Sequence, residues 1–180
     1  MKTILLTGAA GFIGSNTATA LLARGDRVVG VDNLNDYYDP ARKHANLEEV
    51  RAEAPDPDKF LFRRADIRDE REMDRIFAEH EPDVLIHLAA MAGVRASMDN
   101  PRLYLDVNLN GTLTLLDAAR RHGQPPVGFA STSSVYGRTQ VIPFIESDRA
   151  DRPLAPYPAS KRAAELLGHS YHHLYGQNFT

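Results

Sequence analysis

Tyr157 and Lys161 stand four residues apart in the run YPASK, at the start of an amphipathic segment. On a helix, residues i and i+4 share a face, so the phenol and the ammonium would point the same way. A tyrosine hydroxyl is a poor base at neutral pH, because its unperturbed pKa is about 10. A neighbouring cation favours the phenolate and lowers that value. Such a pair can take a proton from a substrate hydroxyl, or return it. Taken alone, the pattern is more often a surface Tyr/Lys pair. The opening of the chain changes the balance.

Residues 2–7 (KTILLT) form an aliphatic and β-branched run, suited to a strand buried on both faces of a parallel sheet. Gly8, Gly11 and Gly14 follow in G-x-x-G-x-x-G spacing. Phe12, Ile13, Ala18, Leu21 and Leu22 then recur at roughly helical intervals, and Gly25 closes the segment. Residues 27–31 read as a second strand, ending in Asp32. Strand, glycine turn, helix, strand and acid together form the context a dinucleotide-binding reading needs. Gly8 allows the tight turn, Gly11 lets backbone approach a pyrophosphate, and Gly14 lets helix pack closely on strand. Free N–H groups at the helix start would hold the phosphates. Asp32 would accept hydrogen bonds from the adenosine ribose, and its charge would repel a 2′-phosphate, favouring NAD over NADP. Its structural alternative is a turn acid.

Residues 33–40 are polar and turn-rich, leading into a helix over about 41–53 that Pro55 and Pro57 break. A strand over 59–64 runs into Asp66-Ile67, which could meet an adenine ring; capping a helix over 68–79 is the equal alternative for Asp66. The strongest strand, 83–90 (DVLIHLAA), ends in the small residues Ala89 and Ala90, which leave room for a ligand at the sheet's crevice. His87 inside it reads as a satisfied core histidine. Residues 91–100 have loop character. Pro101 opens a long helix to about Arg121, with Leu103, Val107, Leu113, Leu116 and Ala119 on its buried side and Asn108 nearby, needing hydrogen-bond partners. A strand over 127–130 runs into Ser131, Thr132, Ser133 and Ser134, four hydroxyls that could orient a substrate oxygen or be turn chemistry only. A long loop over 137–156 delivers the chain to Tyr157 and a helix to about Tyr175 that Gly176 stops. His169, His172 and His173 lie at metal-face spacing without an evident fourth ligand, and a solvated histidine face is the favoured reading. Residues 177–180 look like the start of a further strand.

Composition narrows the function classes. The 180 residues suffice for one domain with a sizeable core, and the formal net charge of −3 gives no reason to expect nucleic-acid or membrane-surface binding. The absence of cysteine excludes disulfides, thiolate catalysis and cysteine-bound metals. The first residues read as a strand, not a signal peptide, and no stretch is long and apolar enough to span a bilayer, so a cytoplasmic protein is expected.

The combination resembles the extended short-chain dehydrogenase/reductases, in particular their NAD-dependent sugar-nucleotide epimerases and dehydratases. The residues that carry it are TGAAGFIGS (7–15), Asp32-Asn33, Asp66-Ile67, HLAA (87–90), STSSVYG (131–137) and YPASK (157–161). DNLNDYYDPARK (32–43) and AGVRASMDNP (92–101) look most like UDP-glucuronate 4-epimerases. The resemblance implies a Rossmann-type α/β fold: a doubly wound parallel sheet with helices on both faces. It implies Tyr157 as acid/base, Lys161 lowering its pKa and binding the nicotinamide ribose, and Thr132 as the active-site hydroxyl. NAD would be held by Gly8, Ala10, Gly11, Phe12, Ile13, Gly14, Asp32, Asn33, Asp66, Ile67, Leu88, Ala89, Ala90 and Asn108, with Tyr157 and Lys161. Arg95, Ser133 and Ser134 would face a UDP-sugar, a charged surface loop residue being the favoured alternative for Arg95. Ser133 and Ser134 fall where the 4,6-dehydratases resemble one another in carrying an Asp-Glu pair, which argues against dehydration. Members usually run past 300 residues, so the expectation is an NAD-binding domain over 1–180 without the C-terminal substrate domain. A homodimer or other self-association is expected, through the 101–121 and 158–175 helices. A non-catalytic NAD-binding module, and a UDP-sugar decarboxylase or reductase, are the alternatives.

Overall fold

The computed structural model describes residues 1–180. Five strands form one sheet in the order β3-β2-β1-β4-β5: β1 (Thr3–Thr7), β2 (Arg27–Asp32), β3 (Phe60–Arg64), β4 (Val84–His87) and β5 (Val127–Phe129). Every pairing is parallel; Leu5, for example, lies between Val29 and Leu85. Parallel strands need helical crossovers, and right-handed crossovers fix which face each helix covers. The chain steps outward from β1 to β3 through α1 (Phe12–Ala23) and α2 (Pro40–Glu53). It then returns past β1 through α3 (Glu70–His80), so later helices cover the opposite face.

The strand residues alternate between these layers. Ile4, Leu6 and Val28 pack with Leu21, Leu22, Leu47 and Val50 under α1 and α2. Leu5, Val29, Leu85 and Val127 pack with Met73, Ile76, Phe77, Leu115, Leu116 and Tyr171 on the other side. No helix is long and apolar enough to cross a membrane.

Two expectations need correction. The stretch 91–100 is not only loop: it contains α4 (Val94–Asp99). The helix after Pro101 reaches Arg121 as expected but is not α-helical throughout. It runs as α5 (Pro101–Leu105), one π turn (Asp106–Asn110) and α6 (Gly111–Arg121). A π turn takes in an extra residue, so the buried face rotates beyond it. A 3.6-residue pattern carried across that turn therefore misplaces Leu113, which is exposed, while Leu115 and Leu116 are buried. The last helix, α7 (Pro156–Tyr175), ends at Gly176 in the left-handed conformation, as expected. Beyond it Asn178 and Thr180 hydrogen-bond to Val127 and Phe129, beginning a sixth parallel position beside β5.

Candidate functional site

The chain order reverses between β1 and β4, and there the loops at the strands' carboxyl ends part to leave a crevice. A cleft occupies this point. Its floor is Gly8 and Gly11 after β1, Asp32 and Asn33 after β2, and Ala65, Asp66 and Ile67 after β3. Leu88, Ala89 and Ala90 after β4 complete one wall, with Val107 behind; Asn35, Tyr37, Tyr38 and Lys43 form the other.

The glycine turn has the build of a phosphate cradle. Gly8 takes φ +73°, and a Cβ on it would lie 2.8 Å from the Ala89 nitrogen. A Cβ on Gly14 would lie 2.0 Å from the Gly8 carbonyl oxygen, so only glycine lets α1 start this close to β1. Gly11 caps α1 without a side-chain hydrogen bond, and the first turn carries no acid. The N–H groups of Phe12 and Ile13 find no acceptor in the protein. Unpaired first-turn donors and the helix dipole favour an anion there. The Phe12 and Ile13 side chains themselves point outward, 79% and 65% exposed, so their backbone is what the cleft can use.

Asp32 is buried and held from three sides. Its Oδ2 accepts from the Ala10 N–H at 3.2 Å, and its Oδ1 from the Leu34 N–H at 2.8 Å. Lys43 Nζ approaches Oδ1 at 3.5 Å. A carboxylate offers about four lone-pair sites, so acceptor capacity remains for a ribose hydroxyl. Asp66 also faces the cleft. Asp69, not Asp66, caps α3 through the Glu72 N–H. Asp66 instead accepts from the Arg68 guanidinium and from Asn33 Nδ2, and the Arg68 bonds hold its carboxyl down to about 2.

The Tyr157–Lys161 pair stands beyond the β4 and β5 ends. Tyr157 and Lys161 lie on the first turns of α7. Tyr157 is half-buried and meets the edge of Tyr104 at 6.2 Å between ring centres. Burial raises the Tyr104 phenol to about 12, and it donates to the Ala92 carbonyl at 2.5 Å. Tyr37 donates to the same carbonyl at 2.7 Å and so ties the β2–α2 loop to the β4–α4 loop across the cleft. The Lys161 ammonium is buried 4.0 Å from the centre of the Phe129 ring, a cation–π contact. Burial pushes it down to about 8, against an upward pull from Glu165. Thr132 Oγ1 accepts from the Ser134 N–H at 3.2 Å, which leaves its own hydroxyl hydrogen to donate. Ser131 donates to Glu165. Ser133 is exposed and Ser134 half-buried in the turn that follows.

Three sequence-named residues do other work or stand apart. Asn108 is not at the cleft surface. It is buried in the π turn, accepts from the Met91 N–H at 2.8 Å, and donates to the Met91 carbonyl and to Ser160 Oγ. It thus ties the strand of cleft wall after β4 to the helix that carries Tyr157. Arg95 is exposed on α4 without an ion-pair partner. His87 is buried between the Thr7 and Thr112 hydroxyls, as a core histidine. On α7, His172 Nδ1 pairs with the Gln177 carbonyl, and no group of three or more metal-ligating side chains is assembled anywhere. Lys43, Tyr37, Tyr38 and Asn35 entered the cleft unannounced. Lys43 had a signal: it shares a helix face with Leu47 and Val50, four and seven residues on, where a solvated lysine does not belong.

Comparison with known proteins agrees with this fold. Residues 5–180 match the family model described as GDP-mannose 4,6 dehydratase. A UDP-glucuronate 4-epimerase of Thermodesulfobacterium geofontis is 46% identical over 96% of this chain and 52% of its own length. UDP-glucuronate 4-epimerase 4 of Arabidopsis thaliana is 42% identical over 99% of this chain and 40% of its own. Among solved structures, the UDP-glucuronic acid 4-epimerase from Bacillus cereus, in complex with UDP-glucuronic acid and NAD, superposes with TM-score 0.87 at 33% identity, over 99% of this chain and 55% of that one. The dTDP-glucose 4,6-dehydratase DesIV from Streptomyces venezuelae, with NAD bound, also gives 0.87, at 34% identity over 98% and 53%. The chain therefore spans about half the length of the relatives it matches.

Proposed function

The chain belongs to the GDP-mannose 4,6-dehydratase family, and on that premise we propose that it binds NAD and inverts C4 of a UDP-sugar, UDP-glucuronate first, through a 4-keto sugar. The observation that carries this is the pairing of an anion cradle with unpaired N–H groups and a Tyr157–Lys161 helix along one edge of the sheet. The residues fit the cofactor. The first turn of α1 would hold the pyrophosphate, Asp32 the adenosine ribose, and the walls at Ile67 and Ala89 the adenine side.

When bound, NAD supplies the acceptor and then the donor of hydride at the sugar's C4. Tyr157 takes the proton of the 4-hydroxyl as that carbon is oxidised, and gives it back when the 4-keto sugar is reduced on its other face. The Lys161 ammonium, one turn further along α7, would hydrogen-bond the nicotinamide ribose. Thr132 donates its free hydroxyl hydrogen to the sugar oxygen. The 132–134 turn offers hydroxyls and no carboxylate, hence no acid–base pair for expelling water. This supports epimerisation over dehydration, as do the names of the sequence relatives. The Ser134 hydroxyl, with that of Thr132, would help hold the uronic carboxylate. Two copies would associate through α5–α6 and α7, where Leu105, Leu113 and Leu166 are exposed.

Isothermal titration with NAD, alongside an epimerisation assay on UDP-glucuronate, tests the reading. Tyr157→Phe should keep NAD binding and lower interconversion by about 10²–10⁴-fold. Because the chain covers half of its relatives, a scaffold that binds NAD without catalysis is the second reading. NAD binding with no Tyr157-dependent chemistry would favour the scaffold, and no NAD binding would overturn both.

A further inference from the structure

Lys43 puts a buried cation beside the carboxylate that should turn a 2′-phosphate away. Its side chain is 6% exposed and that of Asp32 is 8%. The ammonium donates to Asn35 Oδ1 at 2.8 Å, lies 3.5 Å from Asp32 Oδ1, and sits 5.2 Å from the centre of the Tyr38 ring. An ammonium has three donors, and the protein supplies acceptors for two. All four residues line the cleft at its ribose end.

We propose that Asp32 and Lys43 form one specificity device, in which Lys43 is a latent 2′-phosphate site that Asp32 keeps neutralised. The inference rests on the NAD reading above. A lone buried carboxylate would repel a phosphate outright. Paired with Lys43, Asp32 leaves almost no net charge, so preference for NAD depends on the carboxylate holding the ammonium's attention. Removing that carboxylate's charge leaves an uncompensated buried cation, the costly half of a broken pair. A 2′-phosphate supplies the missing anion and takes up the spare N–H in a charge-assisted hydrogen bond.

The test is isothermal titration of the 180-residue chain with NAD and with NADP. Asp32→Asn should tighten NADP binding by about tenfold or more, the scale of one charge-assisted bond. Asp32→Ser should do the same, and serves if Asp32→Asn folds poorly. Adding Lys43→Met to either variant should cancel the gain, while Lys43→Arg should retain it. Lys43→Met alone should widen the NAD-over-NADP ratio, because the bare carboxylate remains. A merely structural Lys43 would weaken both cofactors equally and leave the ratio unmoved. No gain for NADP in either Asp32 variant, or a gain that survives Lys43→Met, would overturn the inference while NAD binding by the unaltered chain still stood. Failure of the unaltered chain to bind NAD would overturn the functional reading instead, and this inference with it.

Discussion

Replacing Asn108 with leucine tests how the cleft is tied to the helix that carries Tyr157. Leucine shares the amide's heavy-atom branching, so no cavity opens; its bulkier methyl groups add some overpacking to the loss of the hydrogen bonds. The Asn108 amide makes three: from the Met91 N–H, to the Met91 carbonyl and to Ser160 Oγ. Met91 is only 9% exposed, so water cannot readily replace the lost partner. Ser160 loses least, because its hydroxyl still donates to the Tyr157 carbonyl at 2.7 Å. An unsatisfied buried donor or acceptor costs about 1–3 kcal/mol, so the two Met91 groups put the loss at about 2–6 kcal/mol. For a chain of this size each kcal/mol lowers Tm by about 2–4 °C. Urea unfolding followed by far-ultraviolet circular dichroism measures the loss directly. A double-mutant cycle with Ser160→Ala should show coupling of about 0.5–3 kcal/mol. If Asn108→Leu unfolds within about 0.5 kcal/mol of the unaltered protein, the value of an ordinary surface substitution, the amide is not the tie described here.

Gly14→Ala places a methyl 2.0 Å from the Gly8 carbonyl. Backbone must move, so the variant should lose about 1–3 kcal/mol or more in urea unfolding and bind NAD more weakly in titration; unchanged affinity would contradict the cradle. Burial holds the His87 imidazole down to about 3, below its unfolded value near 6.5. The unfolded chain then binds the extra proton, so stability is full above about pH 6.5 and falls by up to about 1.4 kcal/mol per unit as pH drops toward 3. Unfolding curves at pH 7 and pH 5 should show that slope, and His87→Gln should flatten it; an equal slope in the variant would place the titrating group elsewhere. Leu105→Glu combined with Leu113→Glu should convert a dimer to monomers in sedimentation, and a dimer that survives both would move the interface off these helices.

The residues proposed to do the chemistry announced themselves through local spacing. Gly8, Gly11 and Gly14 between a strand and a helix, and Tyr157 four before Lys161, are patterns within one element or one turn. Short-range geometry decides them: a helix repeats every 3.6 residues, and a tight turn needs glycine wherever a Cβ would strike backbone. The apolar runs of β1, β2 and β4 likewise required a sheet covered on both faces. The Met91–Asn108–Ser160 tie, the Tyr37 and Tyr104 bonds to the Ala92 carbonyl, and the Lys43–Asp32 pair lay beyond that reach. Each joins groups distant in sequence that meet only after the crossovers have stacked. Their energies depend on burial and angle, and a one-dimensional pattern carries neither. The π turn at Asp106–Asn110 belongs with them, because tertiary packing, not local propensity, decides where a helix takes in an extra residue. Residue spacing alone marked which groups could serve a dinucleotide and a substrate hydroxyl. Folding decided which side chains fill the space around them and which charge each one faces there.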